Sequence, residues 1–305
     1  MKNIALLSLV GMMAAPAMAQ VNGSLTPSYG SAVVTQTNGT GFEDANQGDI
    51  DFTNGSELNA AFYRSDATYA YLLFTGNLET NYNKLEVFFS TGATGQQQIS
   101  STVGQMSNLN GFRHDNGFNA NLWLSVTNGN TASMGPQVYG QFVDAAQFSG
   151  GTWSGGYQGT NTGQNGGSLS GGTSLAGGSF LVGTDNSNTL GVGAGAGNLG
   201  AGPLSATTGI EIAIPWALLG LAAGSQFNVM AFINGQNHDY ASNQFLAPLP
   251  RNTGNLGGDG MGGFNGSVGG LDMGQFAGNQ FFTVPTPAAA GVFGLAGLAA
   301  FRRRR

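Results

Sequence analysis

Gly209-Ile210-Glu211-Ile212-Ala213-Ile214-Pro215-Trp216-Ala217-Leu218-Leu219-Gly220-Leu221 decides the fold class. Its first half alternates, so three isoleucines share one face of a strand. Pro215 then stands where a first helical turn tolerates proline, and Gly220 where a helix stops, which predicts a single helical turn. Phe227-Asn228-Val229-Met230-Ala231-Phe232-Ile233 follows and is apolar at nearly every position, the pattern of a central strand.

Upstream, more segments of the same kind appear. Tyr69–Phe74 is aromatic and apolar and is followed by Gly76. Leu85–Phe89 comes after Asn81-Tyr82-Asn83, which reads as a turn. Asn121–Val126 runs into Thr127-Asn128-Gly129-Asn130, a second turn signal. The expected class is all-β. Helical bundles and coiled coils are excluded, because charged residues make up 8% of the 305-residue chain, against about 25% in ordinary soluble domains. The stretch at about 149–209 is rich in Gly, Ser, Thr and Asn, and is read as long loops closed by short strands near Ser179–Val182. Residues 252–274 have the same character.

There is no cysteine, which removes disulfides, thiolate metal sites and cysteine nucleophiles. Apart from the two ends, Arg64, Lys84, Arg113 and Arg251 are the only basic residues set against 15 acids. So acidic a surface repels phosphate backbones and anionic headgroups, and nucleic acid is not an expected partner.

Both ends read as addresses. Residues 1–19 form a secretory signal peptide: Lys2, an apolar run from Ile4 to Met13, then Ala17-Met18-Ala19. Signal peptidase is expected to cut between Ala19 and Gln20. The passenger then spans 20–283. Residues 284–305 comprise Val284-Pro285-Thr286-Pro287, an uncharged run from Ala288 to Phe301, and Arg302, Arg303, Arg304 and Arg305. The two prolines hold their stretch extended. As a helix the apolar run is about 21 Å long, short of a bilayer core unless the arginines snorkel. They would remain cytoplasmic, giving a transient single-pass intermediate with the passenger outside.

This tripartite tail resembles the PEP-CTERM sorting signal, with Thr286 where most members carry Glu. The resemblance implies recognition and clipping by exosortase, a membrane-embedded cysteine protease and transpeptidase, and delivery to the envelope surface or medium. The order of strands, together with the Ile-Pro, one-turn-helix element, also resembles ninth-family carbohydrate-binding modules and related DOMON-like domains over about residues 55–245. That resemblance implies a two-sheet antiparallel, jelly-roll-like β-sandwich. No binding residue carries over from it.

Candidate chemistry is sparse. His114 and His238 each precede an aspartate, and polar turns explain them better than a metal site. No His-Glu-x-x-His or Gly-x-Ser-x-Gly occurs. Gly195-Ala196-Gly197-Asn198-Leu199-Gly200 lacks a βαβ frame and is set aside. Pairs such as Glu79/Glu86 or Asp49/Asp51 have no fixed separation to mark a glycosidase. Glu43, Asp44, Asp49, Asp51 and Glu57 crowd one turn-rich stretch; Asp49 and Asp51 are the calcium candidates, with solvated loop acids the simpler reading. No other cofactor is indicated. Trp123 and Trp216 read as core, whereas Trp153 with Tyr157, in a polar loop, is the candidate platform for a sugar ring. The expected function is a non-catalytic surface or extracellular-matrix protein. The alternative is an extracellular polysaccharide-binding module, and a secreted hydrolase is disfavoured by the residue inventory.

Overall fold

The computed structural model describes residues 21–43, 55–92, 94–130, 139–162 and 167–286. The signal peptide with Ala17, Ala19 and Gln20, the calcium candidates Asp49 and Asp51, and the tail from Pro287 through Arg302–Arg305 lie outside the described residues. Among the described residues, no helix is long and apolar enough to cross a membrane.

Two antiparallel sheets face one another. The smaller runs β1 (Val34–Thr35), β2 (Glu57–Ser65), β3 (Tyr69–Asn77), β11 (Gly209–Pro215), β10 (Leu181–Thr184), β8 (Gly167–Ser168). The larger runs β13 (Ala241–Leu246), β12 (Phe227–Asn234), β4 (Asn81–Ser90), β5 (Leu122–Asn130), β6 (Tyr139–Ser149), β7 (Thr152–Thr162), β9 (Ser170–Gly171), and β14 (Phe282–Val284) also pairs with β12. The protein is an all-β sandwich. Its central core joins Ile210, Ile212 and Ile214 of β11 and Leu72 and Phe74 of β3 to Leu85, Val87 and Phe89 of β4 and Val229, Ala231 and Ile233 of β12.

Strands that read as continuously apolar are buried on both faces. Behind the larger sheet, Phe245, Phe232, Phe112 and Phe88 form a run of nearly parallel rings, beginning at 4.6 Å and 4° between Phe232 and Phe245. Segments around 99–120 and 249–273 close over it with Met106, Leu109, Leu256 and Leu271. Residues 252–274 are therefore a cover that inserts Leu256, Val268, Leu271 and Met273 singly, while Met261 and Phe264 stay exposed. Behind the smaller sheet, Val21 and Tyr29 pack on Phe62, Tyr71, Leu73 and Ala213. The expected helical turn is α1 (Trp216–Leu219), ended by Gly220 at φ 67°.

Three expectations are corrected. The stretch at 149–209 is not all loop: β7 pairs with β6 from Thr152 to Thr162. Its glycines permit a close approach, since a Cβ on Gly155 would lie 2.2 Å from the Ala145 carbonyl oxygen. Pairing to a neighbour here overrides low strand propensity. Asn81-Tyr82-Asn83 opens β4 instead of forming the turn before it. Thr127–Asn130 continues β5, and Gly129 lies beneath the ring of Tyr82.

Candidate functional site

The outer face of the larger sheet is left open at one end. Glu86, Ser125, Asp144 and Tyr157 are successive cross-strand neighbours from β4 to β7. Lys84, Thr127 and Phe142 form the next row. Residues in a row lie about 5 Å apart and share one face. Gln105, from the 3-10 turn Gly104–Leu109, and Tyr82 complete a groove of about 380 Å³ over these rows. Tyr82 has φ 74°, rare outside glycine, and its ring reaches across β5 only because position 129 has no side chain.

Beneath the groove is a buried polar network. Glu86 is fully buried; its Oε2 accepts from Trp123 Nε1 at 2.9 Å, and its Oε1 bonds His238 Nδ1 and accepts from Asn234 Nδ2 at 3.4 Å. Burial pushes the Glu86 carboxyl up, but His238, Trp123 and Lys84 outweigh it and hold the pKa below the usual carboxylate range. His238 reaches this position from the turn after β12, where it adopts φ 58°.

The groove floor itself has free hydrogen-bonding capacity. Among the described residues, no group donates a hydrogen bond to the Asp144 carboxylate, which is partly buried and influenced by His238, Lys84 and Glu86 through charge alone. Burial raises its pKa, and His238 and Lys84 offset this in part. Lys84 Nζ donates to Thr127 Oγ1 at 2.9 Å, and burial lowers its pKa despite Glu86 and Asp144 nearby. Tyr157 stands at the rim with 41% of its surface exposed, between this groove and a second hollow lined by Gly155, Gly156 and Gly171–Ala176.

The other candidates are placed differently. Trp153 is not an exposed platform: it is 7% exposed, packs on Phe148, and donates from Nε1 to Gln96 Oε1 at 2.7 Å. Trp153 and Tyr157 share the outer face of β7; Trp153 lies under the 96–120 cover, whereas Tyr157 remains accessible. Trp123 and Trp216 are buried, as expected. Neither histidine is a solvated turn residue. His114 is fully buried among Phe88, Phe112 and Phe118, and burial takes its pKa down to about 3. The two do not converge, and among the described residues no group of three or more His, Asp or Glu could hold a metal. Glu57 is a buried acceptor for Asn59 and Asn188 rather than a loop acid. Glu79 accepts from Asn81 at 2.7 Å, apart from the enclosed Glu86.

Reasoning from sequence missed Lys84, Asp144 and Tyr82. The available signal was the alternation Lys84-Leu85-Glu86, which places two charges on one face of an apolar strand.

Compared with known proteins, the chain matches no family model, no curated protein and no solved structure.

Proposed function

We propose that the chain is an exported, non-catalytic surface or extracellular-matrix protein whose sandwich binds an extracellular polysaccharide in the Tyr157 groove. The observation carrying the glycan reading is the Asp144 carboxylate, without a donor among the described residues, on the floor beside an exposed tyrosine ring. Carboxylate and amide groups hydrogen-bond sugar hydroxyls, while an aromatic face packs on the apolar face of the ring. Hydrolysis by a carboxylate pair is disfavoured, because Glu86, next but one in the row, has both oxygens bonded beneath the floor. In a pull-down against insoluble neutral polysaccharides, the wild-type protein should be retained and Tyr157→Ala should lose at least tenfold in affinity. No retention on any polysaccharide would remove the glycan reading and leave the plain surface-protein reading.

The sorting reading, with exosortase as processing partner, has separate support. β14 ends at Val284, which is fully buried in the central core, and Pro285 and Thr286 then emerge exposed. Pro285 and Thr286, the described part of the Pro-x-Pro motif, are thus exposed where the chain leaves the folded domain. A cut beyond Val284 would leave β14 in place. Pro285→Ala combined with Pro287→Ala should keep the full-length chain in the membrane; normal clipping of that variant would overturn the proposal.

A further inference from the structure

We infer that the two sheets enclose a water-binding chamber at one end of the sandwich, formed by Asn128, Gln141 and Thr184. Along β5 and β6 the inward positions are apolar as far as Val126 and Val143. The next inward pair is Asn128 and its cross-strand partner Gln141, followed on β7 by Asn161, the partner of Gln141. All three are amides where the alternation would place core residues. Thr184 faces them from β10: it points inward with Val182, and its partner on β11 is the core residue Ile210. Its place is fixed from both sides. Two residues before it, the Val182 carbonyl accepts from Asn161 Nδ2 at 2.8 Å. Two residues after it, Asn186 Nδ2 donates at 2.8 Å to the Leu78 carbonyl, which also accepts from Asn128 Nδ2 at 2.8 Å. Gln141 thus lies between Asn128 and Asn161 as Thr184 lies between Asn186 and Val182 on the opposing chain.

Asn128, Gln141 and Thr184 are fully buried, and four of their polar atoms have no partner among the described residues: Asn128 Oδ1, Gln141 Oε1 and Nε2, and Thr184 Oγ1. Bare polar atoms in a core are strongly destabilising, so such a set calls for a ligand. Its chemistry selects which one. Two carbonyl oxygens need donors, the Nε2 amide needs an acceptor, and the hydroxyl can do either. A cation would leave Nε2 unmet, an anion would meet two carbonyl oxygens, and none of these side chains carries a charge to balance either. Water donates and accepts, and a buried water makes about three hydrogen bonds. Oε1 and Nε2 diverge from one carbon, so one water cannot serve both and at least two are needed. The sheets are thus bridged by solvent at this end and by apolar contact beside it.

A high-resolution crystal structure should show at least two ordered waters between Gln141 and Thr184, each with about three hydrogen bonds. In solution, the side-chain amide protons of Gln141 should give Overhauser cross-peaks to water. Thr184→Val keeps the branched shape and removes only the hydroxyl. It should lower the melting temperature by about 2–4 °C, because a bridging water loses a partner. A hydroxyl without a bridging water gives the opposite sign: the substitution would then remove a bare polar atom and raise the melting temperature, which would overturn the proposal. A dry interface in which Gln141 bonds Asn128 or Thr184 directly would overturn it as well. So would an anomalous peak in the chamber after a rubidium chloride soak, which would make it a cation site.

Discussion

Replacing Glu211 with alanine should lower the unfolding free energy by about 3–5 kcal/mol and release the N-terminal segment from the smaller sheet. Glu211 projects from β11 away from the central isoleucines and is 1% exposed. Its Oε2 accepts from the backbone of Asn22 at 2.8 Å and Gly23 at 3.1 Å; its Oε1 accepts from the Tyr29 hydroxyl and from Arg64 Nη2 at 2.9 Å. Arg64 lies over the Tyr71 ring at 3.7 Å and near Tyr29 at 4.9 Å, so alanine would strand a largely buried cation. Burial, then the Glu211 carboxylate, push the Tyr29 hydroxyl far above the ordinary tyrosine range, consistent with a neutral donor. The loss is large against the 5–15 kcal/mol that holds a typical domain together. Urea unfolding followed by intrinsic fluorescence, with limited proteolysis near residue 30, measures it. Glu211→Met with Arg64→Met should recover only the part of the loss that comes from the stranded Arg64 charge, since the Asn22 and Gly23 amides and the Tyr29 hydroxyl still lack their acceptor. A single variant within 1 kcal/mol of wild type would show that the clamp carries little.

Acid should destabilise the sandwich through His114. The unfolded imidazole takes a proton near its ordinary pKa, 6.5, whereas in the folded protein burial moves that event to about 3. Above pH 6.5 the residue is neutral in both states and stability is unaffected. Between these values the unfolded state binds the proton first, so stability falls as pH falls, by about 3 kcal/mol at pH 4. The depressed carboxyl of Glu86 acts in the same direction at lower pH, and the raised carboxyls of Asp144 and Asp115 act in the opposite direction. The contribution of His114 is therefore read as the difference from His114→Phe, which suits a pocket of Phe88, Phe112 and Phe118. Thermal unfolding from pH 7 to pH 4 should show a drop that the variant largely escapes. Parallel curves for the two proteins would contradict a neutral, buried His114.

Features set by neighbours in the chain were legible in the sequence. The alternation of β11, the Pro215 and Gly220 that bracket α1, and the apolar run of β12 are all local patterns. Features set by register were not. β7 has a loop-like composition and is a strand because β6 lies beside it. Tyr157 was picked out, but with Trp153, since loop composition gives no hint of which residue on the shared outer face the distant 96–120 segment covers. Asp144 and Lys84 lie sixty positions apart and meet only after β4, β5 and β6 are paired. The Glu211 clamp joins residues more than 180 positions apart in sequence, which no local pattern records.

Backbone amide NMR during titration with a soluble neutral oligosaccharide tests the binding face most directly. Shifts should concentrate on Tyr82, Lys84, Thr127, Asp144 and Tyr157, and disappear in Tyr157→Ala at the same ligand concentration. Shifts confined to the outer face of the smaller sheet, around Tyr29 and Arg64, or none at all, would contradict the assignment of the groove.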